Sequence, residues 1–246
     1  MSRACRAKVL RGMDALVLTT VARKSSVERT TNHQRSTLPP AVTGDSAHGA
    51  ADRVDEDQFT EKSGCAAGGR QERFPVVLIR RETLSDEPAI FRVHNAAFAT
   101  DNGRTAPEAV LVDQLRAASD SIPALSLVAE ISDTVVGHVL GSRAHIDEYS
   151  SLGIGPLGVL PTHQQQGVGT ALMHAVLAAA DALDLSEAVL LGDPAFYHRS
   201  GFQLARPLGV LPSNPGWAEH FQIRTLTSWT NQRQGAFRYA PAFDNA

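Results

Sequence analysis

Hydrophobic positions are unevenly organised along the chain. Through residues 1–72 they follow neither a helical nor a strand period, and Ser, Thr, Arg, Gly and Asp dominate, as in STLPPAVTGDSAHGAADRVDEDQ. Such a stretch buries too little apolar surface to offset its ordering entropy, so it is expected to be disordered. RGMDALVLTTVA, Arg11 to Ala22, is the one brief run there that could form a helix or strand. From Phe74 onward the pattern is regular. PVVLIRRE reads as a strand. SDEPAIFRVHNAAF puts Ile90, Val93, Ala97 and Phe98 on one helical face, with Ser85 and Pro88 as an imperfect capping box. PEAVLVDQLRAA opens with Pro107 and Glu108, both suited to a first helical turn.

The second half continues in the same way. LSLVAEI and TVVGHVLGSRAHI read as strands joined by a Ser132–Asp133 turn, and LGIGPLGVLP as a third. VGTALMHAVLAAADALD is the longest helix, with Leu172, Val176, Ala179 and Leu183 on one face. EAVLLGD is a short buried strand. PAFYHRSGF is a short helix stopped by Gly201. FQLARP and HFQIRTL supply the last strands. The order β-α-α-β-β-β-α-β-α-β-β predicts an α/β fold with a mixed central sheet flanked by helices over residues 73–246.

Composition narrows the function. The chain has 246 residues, a formal charge of −3 and 43% hydrophobic residues. Weak acidity argues against a general nucleic-acid or membrane-surface binder, and no apolar run is long enough to span a bilayer. Both cysteines, Cys5 and Cys65, and all three lysines, Lys8, Lys24 and Lys62, precede residue 73. The folded part therefore has no cysteine nucleophile, disulfide framework or cysteine-based zinc site, and no His-Asp-Glu spacing indicates a metal. For residues 1–72, a flexible extension, an over-long translation start and an organelle transit segment stay open.

The stretch THQQQGVGTAL, Thr162 to Leu172, leads from a strand end into the long helix. A helix N-terminus offers unpaired N–H groups and partial positive charge, and Gly167 and Gly169 let a ligand approach the backbone closely. An anion could bind there without lysine or arginine. The stretch lacks the Gly-Lys-Ser/Thr of a P-loop and the three glycines of a dinucleotide fingerprint. On spacing alone, a plain strand-to-helix turn stays equally open.

Gln164-x-x-Gly167-x-Gly169 resembles the acyl-CoA signature of the GNAT superfamily of N-acetyltransferases. GPLGVLP before it resembles that family's fourth strand, and AFYHRSGF its Phe-Tyr-x-x-x-Gly-Phe element. Together with LGDP they look most like the YhbS-like subgroup, with a likeness running from Val76 to about Leu226. The resemblance implies a GNAT fold that uses acetyl-CoA as co-substrate. Leu157, Gly158, Val159 and Leu160 would present a backbone edge to the pantetheine arm. Gln164, Gln165, Gln166, Gly167, Val168, Gly169 and Thr170 would wrap the pyrophosphate. Tyr197 stands at the general-acid position, where a phenol suits protonation of a thiolate.

The implied reaction is direct attack of a primary amine on acetyl-CoA in a ternary complex. A non-catalytic CoA-binding sensor, or an interaction domain of the same fold, is the alternative. Two positions depart from the family pattern: Gln166 stands where a basic residue is common, and Asp193 where Asn is common. Glu130, His138, His145 and Asp147 are all open as the base, and Trp217 as a lining of the acceptor side. A cytoplasmic location is expected, and homodimerisation stays open.

Overall fold

The computed structural model describes residues 76–99 and 103–245. The extension expected over residues 1–72 lies outside the described residues. The elements are β1 (Leu78–Arg81), α1 (Glu87–Ala97), α2 (Pro107–Ala117), β2 (Ser121–Ile131), β3 (Thr134–Ile146) and β4 (Tyr149–Val159). There follow α3 (Val168–Ala182), β5 (Glu187–Leu191), α4 (Pro194–Tyr197), β6 (Gln203–Leu204), β7 (Val210–Leu211), β8 (Phe221–Thr225) and β9 (Gly235–Arg238).

The sheet runs β1-β2-β3-β4-β5-β8-β6, while β9 pairs with both β3 and β7. Along the main path only β4 and β5 are parallel, and the other neighbours are antiparallel. The β2–β3 turn is the two-residue connection expected. Ser132 and Asp133 both hold positive φ, 48° and 61°, as a turn matching the natural strand twist requires.

The two sheet faces are covered by different helices. The α3 side buries Leu172, Met173 and Val176 against Leu127, Val139, Ile154 and Leu157. On the opposite side Ile90 of α1 and Val112 of α2 pack on Val128, and Leu111 and Leu115 of α2 pack with Leu140. Two glycines allow the helices to sit close. A Cβ on Gly137 would meet Leu172 and Val168 of α3, and one on Gly158 would meet His94 of α1.

Three expectations needed adjustment. The capping box lies two residues before the expected Ser85–Pro88 position, at Thr83 and Asp86, where Thr83 N–H donates to Asp86 Oδ2 over 2.8 Å. A single 3-10 turn then leads into α1. The strands read from LSLVAEI and LGIGPLGVLP begin earlier, at Ser121 and Tyr149. Finally, β7 and β9 carried no visible period. They are two and four residues long and exist through tertiary pairing, such as Ile146 opposite Phe237.

Candidate functional site

The site grows out of an incomplete strand pair. β4 and β5 pair only at Leu152 with Ala188 and Gly153 with Val189. Beyond those residues they separate, although β4 runs on to Val159 and β5 to Leu191. The separation coincides with a bulge. Against β3, the register changes between Val139–Leu157 and Gly141–Ile154, so β4 carries one extra residue around Gly155–Pro156. Pro156 contributes no N–H to either neighbour.

Past the bulge, alternation decides which backbone groups face the opening. Leu160 N–H donates to Val136 carbonyl over 2.8 Å. In this antiparallel register, Gly158 opposite His138 is likewise turned toward β3. Leu157 and Val159 point their backbone groups the other way, into the gap beside β5. Of the four residues expected to form a backbone edge, these two are therefore the ones oriented to offer it.

The glycine turn follows directly. Gly167 is the N-cap of α3 in the left-handed region, φ 84°, and no side chain caps the helix. The first bond that closes is Ala171 N–H to Gly167 carbonyl. Val168, Gly169 and Thr170 thus carry the N–H groups that an α-helix leaves without intrahelical partners. A Cβ on Gly167 would meet nothing within 4 Å, so open space adjoins the start of the helix at Gly167. The glutamine side chains shape the turn. Gln164 Nε2 donates to Val159 carbonyl at 3.0 Å and Gln166 Nε2 to Thr162 carbonyl at 3.0 Å. Gln165 takes a positive φ of 62°. Backbone amides and a helix dipole in this arrangement suit a pyrophosphate.

Tyr197 ends α4 on the α3 side of the gap and is 2% exposed. Its ring lies on Gly192, where a Cβ would come within 2.3 Å of Cε2, and it meets Phe196 and Phe202 edge-on. Burial first, and then the charge of Asp193, push the phenol's pKa upward and keep it protonated. Asp193 has a clear local role as well: its Oδ1 accepts from Ala195 N–H at 2.9 Å and caps α4. Gly169 would meet Phe196 at 3.5 Å if it carried a Cβ, so the glycine turn and α4 adjoin.

A cavity of about 480 Å³ opens where the strands part. Ile154 and Leu191 form its floor, with Trp217, Tyr239, Phe243 and Arg238 among its walls. Trp217 and His145 both line it, as the sequence left open for Trp217. The ring of Tyr239 packs on Gly153, where a Cβ would come within 3.0 Å of Cδ1.

The other base candidates have structural partners. Glu130 accepts from Arg80 at 2.7 Å, and Asp147 accepts from Ala236 N–H at 3.0 Å. His138 is wholly buried among three polar side chains. Its Nδ1 is 2.8 Å from His94 Nε2, and its Nε2 is 2.9 Å from Ser126 Oγ and 3.2 Å from Glu82 Oε2. Glu82 in turn accepts from Arg116 at 2.7 Å and 3.2 Å. Burial alone would raise the Glu82 pKa, but hydrogen bonds from His138, Arg116 and Ser126 outweigh it and hold the value at about 2.

No motif or spacing singles out His94. It lies four residues after Ile90, on the helical face that becomes buried, where a histidine has no visible partner in one dimension. No group of three or more His, Cys, Asp or Glu side chains suited to a metal occurs among the described residues. No helix there is long and apolar enough to cross a membrane.

Known proteins resemble this chain in sequence and fold. Residues 123–204 match the profile of the acetyltransferase (GNAT) domain. The uncharacterized N-acetyltransferase YhbS of Escherichia coli K12 is 32% identical over 153 residues, covering 61% of this chain and 87% of YhbS. The chain belongs to the GNAT family. Two solved GNAT structures agree. That of Escherichia coli YhbS in complex with CoA has a TM-score of 0.64 and 28% identity, covering 70% of this chain and 93% of that one. A family member from Brucella melitensis in complex with acetyl-CoA has a TM-score of 0.57 and 31% identity, covering 69% of this chain and 99% of that one.

Proposed function

We propose that this GNAT protein transfers an acetyl group from acetyl-CoA to a primary amine by direct attack within a ternary complex. The observation that carries the reading is the β4 edge at Leu157 and Val159, which does not pair with β5, standing beside the N-terminus of α3, which no side chain caps. An extended pantetheine arm carries amides that can add to such an edge like a strand. Its pyrophosphate then meets Val168, Gly169 and Thr170 N–H groups, over a Gly167 that leaves the approach open. Gln164, Gln165 and Gln166 contribute through the turn they build. The complexes of the two relatives with CoA and acetyl-CoA support the same ligand here.

The chemistry needs two proton movements. Nitrogen of a neutral amine bonds to the thioester carbon, the carbon–sulfur bond breaks, the nitrogen loses a proton and the thiolate gains one. A gap-facing β4 N–H, that of Leu157 or Val159, can stabilise the developing oxyanion. Tyr197 supplies the proton to sulfur: it is protonated near neutral pH, and the thiolate must draw the proton from a phenol that burial makes a weaker acid. The acceptor's body fits the 480 Å³ cavity. Its aromatic and aliphatic walls favour an amine attached to an apolar or aromatic group.

Gln166 bears on a second reading. Its side chain supplies no cation and is engaged with Thr162, which suits weaker ligand binding and a non-catalytic sensor of CoA. Thiol release from acetyl-CoA, followed with a panel of arylalkylamines, polyamines and lysine peptides, separates the two. Amine-dependent release establishes the transferase. Saturable acetyl-CoA binding with no release by any amine establishes the sensor.

A further inference from the structure

The buried chain Arg116–Glu82–His138–His94 ends at an atom with no partner. His94 is fully buried, and its Nδ1 is without a hydrogen bond among the described residues. Buried polar nitrogens are nearly always satisfied, so an orphan calls for a reason. Nδ1 adjoins Gly158 of β4, where a methyl group would sit 2.8 Å away. Gly158 in turn is the chain neighbour of both Leu157 and Val159, whose amides face the gap.

The partners fix where the protons lie. His138 Nε2 faces the Glu82 carboxylate at 3.2 Å. A lone pair there would point at negative charge, so Nε2 carries the hydrogen and donates it. His138 Nδ1 is then the bare nitrogen and accepts from His94 Nε2–H at 2.8 Å. His94 therefore presents an unprotonated Nδ1 to β4. If Nδ1 gains a proton, the new charge is shared through His138 and faces the Glu82 carboxylate. This is the logic by which a carboxylate orients a histidine base, lengthened by one imidazole.

The groups facing the pair are accounted for from every side. Glu82 follows β1, Arg116 comes from α2, Ser126 from β2, and Asp86 acts from the turn before α1. Burial lowers the pKa of both histidines and keeps them neutral, ready to accept, near pH 7. The His94 ring is further held by stacking on Phe98, with centroids 6.0 Å apart and planes 7° from parallel.

We propose that His94 is the general base of the acetyl transfer, taking the amine's proton on Nδ1, with His138 and Glu82 positioning it. The inference rests on the transferase reading above. Tyr197 belongs to the cluster beneath α3, whereas His94 approaches β4 from the α1 side. Acid and base thus lie on opposite faces of the sheet, with β4 between them. The proton leaving nitrogen goes to His94, the proton reaching sulfur comes from Tyr197, and exchange with water resets both.

Two measurements on the full chain test this. Nitrogen-15 NMR of labelled histidines reads the tautomers directly. Both rings are expected as Nε2–H, and a hydrogen on His94 Nδ1 would overturn the proposal. Kinetics then compare wild type with His94→Gln and Glu82→Gln, using acetyl-CoA and the amine panel. His94→Gln is expected to lower kcat about 100-fold or more while the KM for acetyl-CoA stays unchanged, in line with the usual yield of general-base catalysis.

Glu82→Gln should lower kcat about tenfold, less than the 100-fold or more expected on removing the base itself, and move the acid limb of the pH profile to lower pH. The sign follows because Glu82 raises the histidine pKa and its removal lowers it. Wild-type kcat in His94→Gln would overturn the base alone. A protein that binds acetyl-CoA but releases thiol with no amine overturns the transferase reading and the base together.

Discussion

Tyr197 shows how much of the proposed chemistry depends on one ring and its support. Its hydroxyl is held in the acid form by burial and by Asp193. Tyr197→Phe keeps the ring and its packing. It should lower kcat by roughly 100-fold, the usual scale of a general acid, with acetyl-CoA affinity unchanged by calorimetry. Equal loss of affinity would mark the residue as a binding group instead. Gly192 is the counterpart. Because its Cβ would fall 2.3 Å from the Tyr197 ring, Gly192→Ala must push the ring away. An overpacked core costs about 1–3 kcal/mol, so the melting temperature should fall by several degrees and turnover should fall with it. A Gly192→Ala variant that melts and turns over like wild type would show that the ring is placed elsewhere in solution.

Among the elements, the turn into α3 does the most with the fewest residues. Gly167 needs φ 84° but faces open space, so conformation and ligand approach can be separated. Asn tolerates the left-handed region. Gly167→Asn should therefore melt within a few degrees of wild type yet bind acetyl-CoA at least tenfold more weakly, as read by titration calorimetry. Undiminished affinity would remove the turn from the ligand's path.

This turn, α3 and the strand before it were legible because their signals are local: glycine spacing, a helical period and an apolar run. The bulge at Gly155–Pro156 and the early parting of β4 from β5 were not, since a register is set by the neighbouring strand. β9 was missed for the same reason. GAFR has no period of its own, and it brings Arg238 and the adjoining Tyr239 to the cavity only through pairing with β3. His94, Glu82 and His138 lie far apart in sequence, so their contact could not be read before the fold was known.

At the scale of the whole molecule, the same buried groups link folding to pH. Glu82 has a folded pKa of about 2, below its ordinary 4.5. Its contribution is complete above the ordinary value and is lost as pH falls toward the folded one. Asp86, held low first by Arg80, acts in the same direction. His94 and His138 are held below their ordinary 6.5 by burial. The unfolded chain therefore takes up their protons first, and the folded state loses ground as pH drops under that value. Melting temperature should decline steadily on acidification from neutral pH, and Glu82→Gln should flatten the part below pH 4.5. A wild-type curve flat from pH 7 to pH 3 would contradict this arrangement of charges.

The central claim is that the parted strands and the uncapped helix form one acetyl-CoA site. Titration of the full chain with acetyl-CoA, followed by calorimetry, addresses it most directly. The account predicts saturable binding at one site per chain, in the micromolar range, weakened in Gly167→Asn and preserved in Tyr197→Phe. Absence of saturable binding to the folded wild-type protein would contradict it, and would leave the glycine turn as a connection between a strand and a helix.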